Sequence, residues 1–373
     1  MSGFRKGKML LLLFIILLLT ILQTGCAFKD IDKRVFVVAI GIDPSDENGE
    51  NYKITLKISL PTGSLKDSSG PQFTYLTHEG ETIGESIRML ETHIDKVLEF
   101  GHTKLIIINE KLLSEELGNF MDYFTRRGDI QLIAYVAATK QSAEQVLKTE
   151  VATESPASIA LFNLFDDNGT ESPYIVTTHL FKFRRDVHAK GIDAILPLIE
   201  TANDDTELVV NKSLIVREMT PPLELSSVQT KQFNSLKNRK SGFDYKAESE
   251  KLTLLLNINR LSMSYKIITD KGKAPRIDMK VKMVGIIGES NNPLHLKDLD
   301  EYNKIANKEF HEKIMELLKK LQKHEVDPFG FGLRYRATRL NDKSTYSDWE
   351  QLYPTIDFNL SVDTQLKTTG AIE

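Results

Sequence analysis

The spacing of apolar and polar side chains changes period several times along these 373 residues. Met9 to Leu22 is an apolar run broken only by Thr20. Val35 to Ile42 is a second run, rich in β-branched residues. Tyr52, Ile54, Leu56, Ile58 and Leu60 then alternate with Lys53, Thr55, Lys57 and Ser59. A period of two predicts a half-buried strand, and Asn48-Gly49 in the polar connection predicts a hairpin turn. Residues 61–72 are rich in Ser, Gly and Pro and predict a loop.

The period then lengthens. Thr82-Ile83-Gly84-Glu85 has the spacing of a capping box with Thr82 as N-cap. Ile83, Ile87, Leu90, Ile94, Val97 and Leu98 follow at helical intervals, with Gly101 as the stop. Leu105 to Ile108 predicts a short buried strand. Leu117, Phe120, Met121 and Phe124 predict a helix closed near Gly128, Leu132 to Ala138 a strand, and Ala143, Val146 and Leu147 a third helix. This β-α-β-α-β order predicts an α/β layer with at least one parallel pair.

Ser155 to Pro173 breaks the composition and predicts a linker. Tyr174 to Phe183 predicts a helix, 192–199 and 208–216 extended chain, and 235–241 a polar, basic loop. Strands are predicted at 252–258 and 277–283, a long helix at Tyr302–Lys323 closed by Asp327-Pro328, and a strand at 356–362. Strands, long helix and strand without tight βαβ units predict an antiparallel sheet packed on that helix. The expected fold class is thus α/β and α+β: a multi-domain chain with mixed sheets flanked by helices. The expected organisation is a signal peptide at 1–25, an N-terminal α/β domain at 26–165, a middle domain at 166–248 and a C-terminal α+β domain at 249–373.

Charge and cysteine content change the picture at the N-terminus. Arg5, Lys6 and Lys8 precede the apolar run, and Gln23-Thr24-Gly25-Cys26 follows it. The fourteen-residue run reaches only about 21 Å as a helix, short of the roughly 30 Å hydrocarbon core and suited to a signal sequence. Removing residues 1–25 takes the formal charge from −4 to −7, which disfavours nucleic-acid binding. Cys26 is the only cysteine, so neither an internal disulfide nor a cysteine-based metal site can form.

Catalytic patterns are absent. There is no Gly-x-Ser-x-Gly elbow and no phosphate loop. Gly330-Phe331-Gly332 follows a helix rather than a strand, His311-Glu312 lacks its second histidine, and the eight histidines are scattered. Asp166-Asp167-Asn168-Gly169 lacks the spaced ligands of a calcium loop. The expectation is no enzyme, no cofactor and no metal. A buried carboxylate pair in a deep pocket would reopen the question.

Residues 23–26 resemble a bacterial lipobox, with Gln23 where leucine is usual. The resemblance implies cleavage between Gly25 and Cys26, an S-diacylglyceryl group on the Cys26 thiol and an acyl group on its new amine. Further along the chain, Val38-Ala39-Ile40-Gly41-Ile42-Asp43, Gly80 to Ser86, Gly101 to Ile108, Phe124 to Ile130, Asp327 to Gly332, Trp349 and Gly370 occur in one order. Together they resemble the Ger(x)C family, the C-subunit lipoproteins of spore germinant receptors. Ala27-Phe28 stands where that family often has Trp-Asp, and Gly128 interrupts its Arg-Asp pair. The resemblance implies an α/β ectodomain lipid-anchored to the outer face of the spore inner membrane. It implies assembly with integral-membrane A and B subunits to answer nutrients, without catalysis. The alternative is a solute-binding lipoprotein that feeds a transporter, which would need two similar lobes around a cleft.

Overall fold

The computed structural model describes residues 7, 14, 33–45, 51–60, 72–114, 117–149, 164–165, 172–202, 206–238, 242–270, 272, 274–339 and 344–368. The chain divides into two compact units, 1–34 and 35–373. In the first, Gly7 and Phe14 are helical. The cleavage site and Cys26 lie outside the described residues. Among the described residues no helix is long and apolar enough to cross a membrane.

The second unit is built on two sheets. β1 (Arg34–Pro44) pairs antiparallel with β2 (Tyr52–Leu60), as the hairpin reading expects. β3 (Gln72–Gly80) continues antiparallel beyond β2, and the short β4 (Val97–Glu99) pairs β1. β5 (Leu105–Asn109), β6 (Tyr135–Thr139) and β7 (Ala194–Ala202) then run parallel to β1. β8 (Glu207–Val216) and β9 (Leu223–Leu225) finish the sheet antiparallel. The five residues of β5, Leu-Ile-Ile-Ile-Asn, are all buried, so both faces must be covered. α1 (Ile83–Leu90) and α2 (Leu117–Arg126) cover one face, α3 (Ala143–Lys148) the other, and α4 (Leu180–His188) joins the first pair.

After α5 (Ser227–Lys237), the second sheet has the order β10 (Phe243–Glu248), β11 (Thr253–Ile268), β12 (Arg276–Ser290) and β13 (Asp357–Leu366). α6 (Leu299–Lys323) lies on it, burying Tyr302, Ala306, Phe310, Ile314, Leu317, Leu318 and Leu321 along one stripe. α7 (Phe331–Ala337) and α8 (Thr345–Leu352) lie between α6 and β13 in the chain. The pairs β10–β11 and β11–β12 are antiparallel, as expected; β12–β13 is parallel. The strands of residues 166–248 divide between the sheets: β7, β8 and β9 extend the first, and β10 opens the second.

Several element readings need correction. The first helix stops at Leu90; after the turn Glu91–His93, Val97 and Leu98 are strand, because pairing with β1 outweighs their helical spacing. β3 escapes the apolar pattern because its Thr, His and Glu residues form a half-buried flank. The strand expected from Leu132 starts at Tyr135, and 131–134 form a turn. The helix expected at Tyr174 starts at Leu180. Of the basic loop expected at 235–241, Ser235 to Lys237 are the end of α5, capped at its start by the reciprocal Ser226–Gln229 box, and 239–241 lie outside the described residues. That helix buries Thr230, Asn234 and Ser235 beside Phe233 and Leu236, so its inward face is largely polar; Asn234 Nδ2 donates to the carbonyls of Pro173 and Ile175 at 3.1 and 2.8 Å. Residues 61–71 of the loop predicted at 61–72 and the Asp166–Gly169 turn lie outside the described residues, and Gln72 already belongs to β3.

Candidate functional site

Ligands of parallel α/β sheets sit beyond the carboxyl ends of the strands. Here that ground is occupied by the chain itself. Asp43, at the end of β1, is 4% exposed. Its Oδ1 accepts from the Ala143 amide at 2.7 Å and Asn109 Nδ2 at 3.1 Å. Its Oδ2 accepts from Ser142 Oγ at 2.8 Å and the Glu144 amide at 3.0 Å. Ser142 makes no capping bond of its own, so a carboxylate a hundred residues away caps α3. A Cβ on Gly41 would lie 2.9 Å from Leu147 Cδ1 and 3.2 Å from Ala143 Cβ, so this glycine sets how closely α3 approaches β1.

A cleft of about 420 Å³ lies where the α4–β7 turn meets the segment following α6. Asp193, Arg217, Glu325, Asp327, Trp349 and Glu350 are among its lining residues. Asp327 is 4% exposed. Its oxygens accept from the Gly330 and Gly332 amides at 2.8 Å each. Asp193 Oδ2 accepts from the Asp327 amide at 2.5 Å, and the Asp193 amide returns a bond to the Asp327 carbonyl. The carboxylate pair that would reopen catalysis therefore exists at a cleft, but its oxygens serve backbone amides. Those bonds hold the turn 327–332 against 191–193. Arg217 links the rim, bonding the Glu325 carbonyl at 2.5 Å and Glu350 at 3.1 Å.

Two glycines make this seam possible. Gly191 has φ +92°, and a Cβ there would lie 2.6 Å from the Gly332 carbonyl carbon. A Cβ on Gly332 would lie 2.4 Å from Trp349 Nε1. Trp349 in turn packs between Tyr335 and Tyr353, each ring 5.4 Å away. Burial pushes the Asp327 carboxyl up to about 7, opposed by its amide bonds and helped by the Asp193 charge. Asp193 is raised too, again by burial.

A pH dependence follows. Below about pH 4 an aspartyl group is neutral in the folded and unfolded chains alike. As pH rises toward about 7 the unfolded chain ionises first, so the stability this group provides is lost across that window. Urea titrations of the wild type should show that decline. In Asp327→Asn it should flatten, with stability lower at acid pH by about 1–3 kcal/mol because an amide NH₂ faces a backbone N–H. An unchanged slope in the variant would show that Asp327 is ionised throughout.

Among the described residues no three His, Cys, Asp or Glu side chains gather as a metal site needs. Arg127 and Asp129, separated by Gly128 in the chain, pair directly, Nε to Oδ1 at 2.8 Å and Nη2 to Oδ2 at 2.5 Å. The Arg127 guanidinium also lies over the Phe100 ring, 4.1 Å from its centroid. Sequence reasoning singled out Asp43, Asp327 and Trp349 but missed Asp193 and Gly191; an isolated Lys-Gly-Ile-Asp turn carries no signal of what docks on it.

Two family models match the chain. Residues 28–201 match the spore germination protein N-terminal domain, and 223–370 the domain described as spore germination B3/GerAC like, C-terminal. The chain belongs to the Ger(x)C family of spore germination proteins. This Ger(x)C chain is 25% identical to spore germination protein KC of Bacillus subtilis (strain 168), covering 96% of each. It is 23% identical to spore germination protein GerQC of Bacillus cereus, covering 96% of this chain and 98% of that one. The crystal structure of the GerBC protein superposes with a TM-score of 0.58 at 16% identity, covering 88% of this chain and 98% of that one, and shares the fold. The residues that carried the resemblance are thus packing devices of a Ger(x)C fold: Gly41 and Asp43 seat α3, and Asp327 to Gly332 with Trp349 form the seam. Gly370 lies outside the described residues.

Proposed function

We propose that this protein is the lipid-anchored C subunit of a nutrient germinant receptor. It works at the outer face of the spore inner membrane beside integral-membrane A and B subunits and performs no catalysis of its own. The observation that carries this reading is the match of both halves to spore germination domains, in order and over nearly the whole chain. The buried carboxylates agree with it: those with the most suggestive placement, Asp43, Asp193 and Asp327, are occupied by backbone amides. A protein so built offers surfaces rather than reacting groups. The solute-binding alternative needs two similar lobes, and the two sheets here differ in strand number and pairing.

In this proposal Gly25 and Cys26 flank the cleavage site, and the Cys26 thiol and amine carry the lipid. Two or three acyl chains hold a protein on a membrane where one does so only marginally, at about 0.8 kcal/mol per buried CH₂. Cys26→Ala should leave the precursor uncleaved, remove the acyl mass and abolish germination through this receptor. Mass spectrometry of the N-terminal peptide and nutrient-triggered release of spore refractility measure both. Affinity purification of the wild type from spore membranes should bring down two integral-membrane proteins. Recovery of the lipidated chain alone, under detergents that preserve other membrane complexes, would remove the receptor reading.

A further inference from the structure

Three of the exposed large apolar side chains sit together. Leu132 and Ile133 lie in the turn that enters β6 and are 46% and 61% exposed; Phe181, at the start of α4, is 46% exposed. The Phe181 amide donates to the Leu132 carbonyl at 3.0 Å, and the Leu180 amide to that of Ala134 at 2.8 Å, so the two segments are hydrogen-bonded neighbours. His179 extends the patch, with its ring stacked on Phe181 at 5.7 Å and on Tyr135 at 4.8 Å.

The place of this patch in the sheet is informative. Ala39 of β1, Leu105 of β5 and Tyr135 of β6 are in register in adjacent parallel strands. The residues just before Leu105 and Tyr135 therefore lie toward the end of the sheet at which the chain enters β1, although β1 itself extends five residues further, from Arg34. At about 4.8 Å per strand, β6 is roughly 10 Å from β1. Cys26 precedes Val35 by nine residues, a tether of at most about 32 Å when fully extended. The same edge carries exposed Lys104 and, over Phe36, the ring of His102 at 4.5 Å. Two of the nearby carboxylates are paired with arginine, Asp129 with Arg127 and Asp122 with Arg126; Glu99 lies beside Gly101. The opposite ends of these strands are polar, carrying Asp43, Asn109 and the Lys140–Glu224 pair.

We propose that this edge lies against a lipid bilayer, with Leu132, Ile133 and Phe181 set into its interface and Lys104 facing anionic headgroups. The inference rests on the lipid-anchor reading above. Acyl chains on Cys26 would hold the protein within one tether length of the surface, and the apolar edge would fix which way the body faces. The two sheets would then present their remaining faces at a set height and orientation.

The test uses the full, acylated chain in vesicles containing phosphatidylglycerol. With Cys26 acylated, Ile133→Cys supplies the sole free thiol for a nitroxide label, and Phe181→Cys does so independently. Lys111→Cys, exposed just past the far end of β5, is the comparison site, about 17 Å further along the strand direction. Labels at 133 and 181 should lie about 5–10 Å below the phosphates, protected from a water-soluble nickel chelate and accessible to oxygen, whereas 111 should behave as in water. Equal chelate access at all three sites, with mass spectrometry showing acylated Cys26, would overturn the inference and leave the anchor standing. Protection that appears only when other membrane proteins are reconstituted alongside would overturn it in favour of a protein partner. A label found on Cys26 would overturn both the anchor and the inference.

Discussion

Gly191→Ala should destabilise the protein by more than about 4 kcal/mol, the largest effect of any single methyl in the seam. Two costs add. At φ +92° an alanine is strained by about 1–3 kcal/mol. Its Cβ would also sit 2.6 Å from the Gly332 carbonyl carbon and 2.7 Å from the Leu333 nitrogen, and backbone on both sides cannot rotate away. Relief requires 327–332 to move off the α4–β7 turn, which breaks the Leu333 amide bond to the Gly191 carbonyl and the Asp193–Asp327 exchange. Trp349 is the protein's single tryptophan and packs on Gly332, so its fluorescence reports the seam directly. Urea unfolding followed at that residue should shift to much lower denaturant. Gly242→Ala is the control: it too has a positive φ, +74°, but nothing lies within 4 Å of the added carbon, so only the strain cost of about 1–2 kcal/mol is expected. Similar losses in the two variants would show that the seam yields readily.

Asp43→Ala is the second large effect. It removes the acceptor of four donors at once: two amides of α3, Ser142 Oγ and Asn109 Nδ2. The site is buried, so water cannot replace the lost bonds without opening it. A loss of about 3–5 kcal/mol is expected, combining a lost helix cap with stranded donors. α3 should loosen first, because its Val146 and Leu147 cover Ala39, Leu105 and Ile107. Hydrogen exchange of the 143–149 amides should rise well above that of α6. Exchange in α3 no faster than in the wild type would show that its packing suffices without the carboxylate.

Residues that obey a simple period are legible in the sequence. β1, β2 and β12 alternate or run apolar as strands must, and the α6 stripe recurs every three or four positions. Thr82 is readable as a cap because its acceptor and its donor, the Glu85 amide, are three residues apart. α5 is not readable, because its inward face holds Thr230, Asn234 and Ser235, and the partners of Thr230 and Asn234 come from other segments. The same reason hides the seam. Asp327 announces itself as a helix stop, but Asp193, 134 residues away, has nothing nearby to mark it.

By itself the chain determined local matters: which segments follow a strand or helix period, the short apolar leader with one cysteine behind it, and the short motifs of a family. Each depends on neighbours within a few residues, where spacing alone sets geometry. Tertiary structure decided the matters that depend on distant partners. It made β7, β8 and β9 part of the first sheet and turned β13 parallel to β12. It also committed Asp43 and Asp193 to distant backbone amides and gathered Leu132, Ile133 and Phe181 together. The physical reason is that a hydrogen-bond acceptor or an apolar face is defined by what it meets, and Asp43, Asp193 and Leu132 meet partners about 50 to more than a hundred residues away.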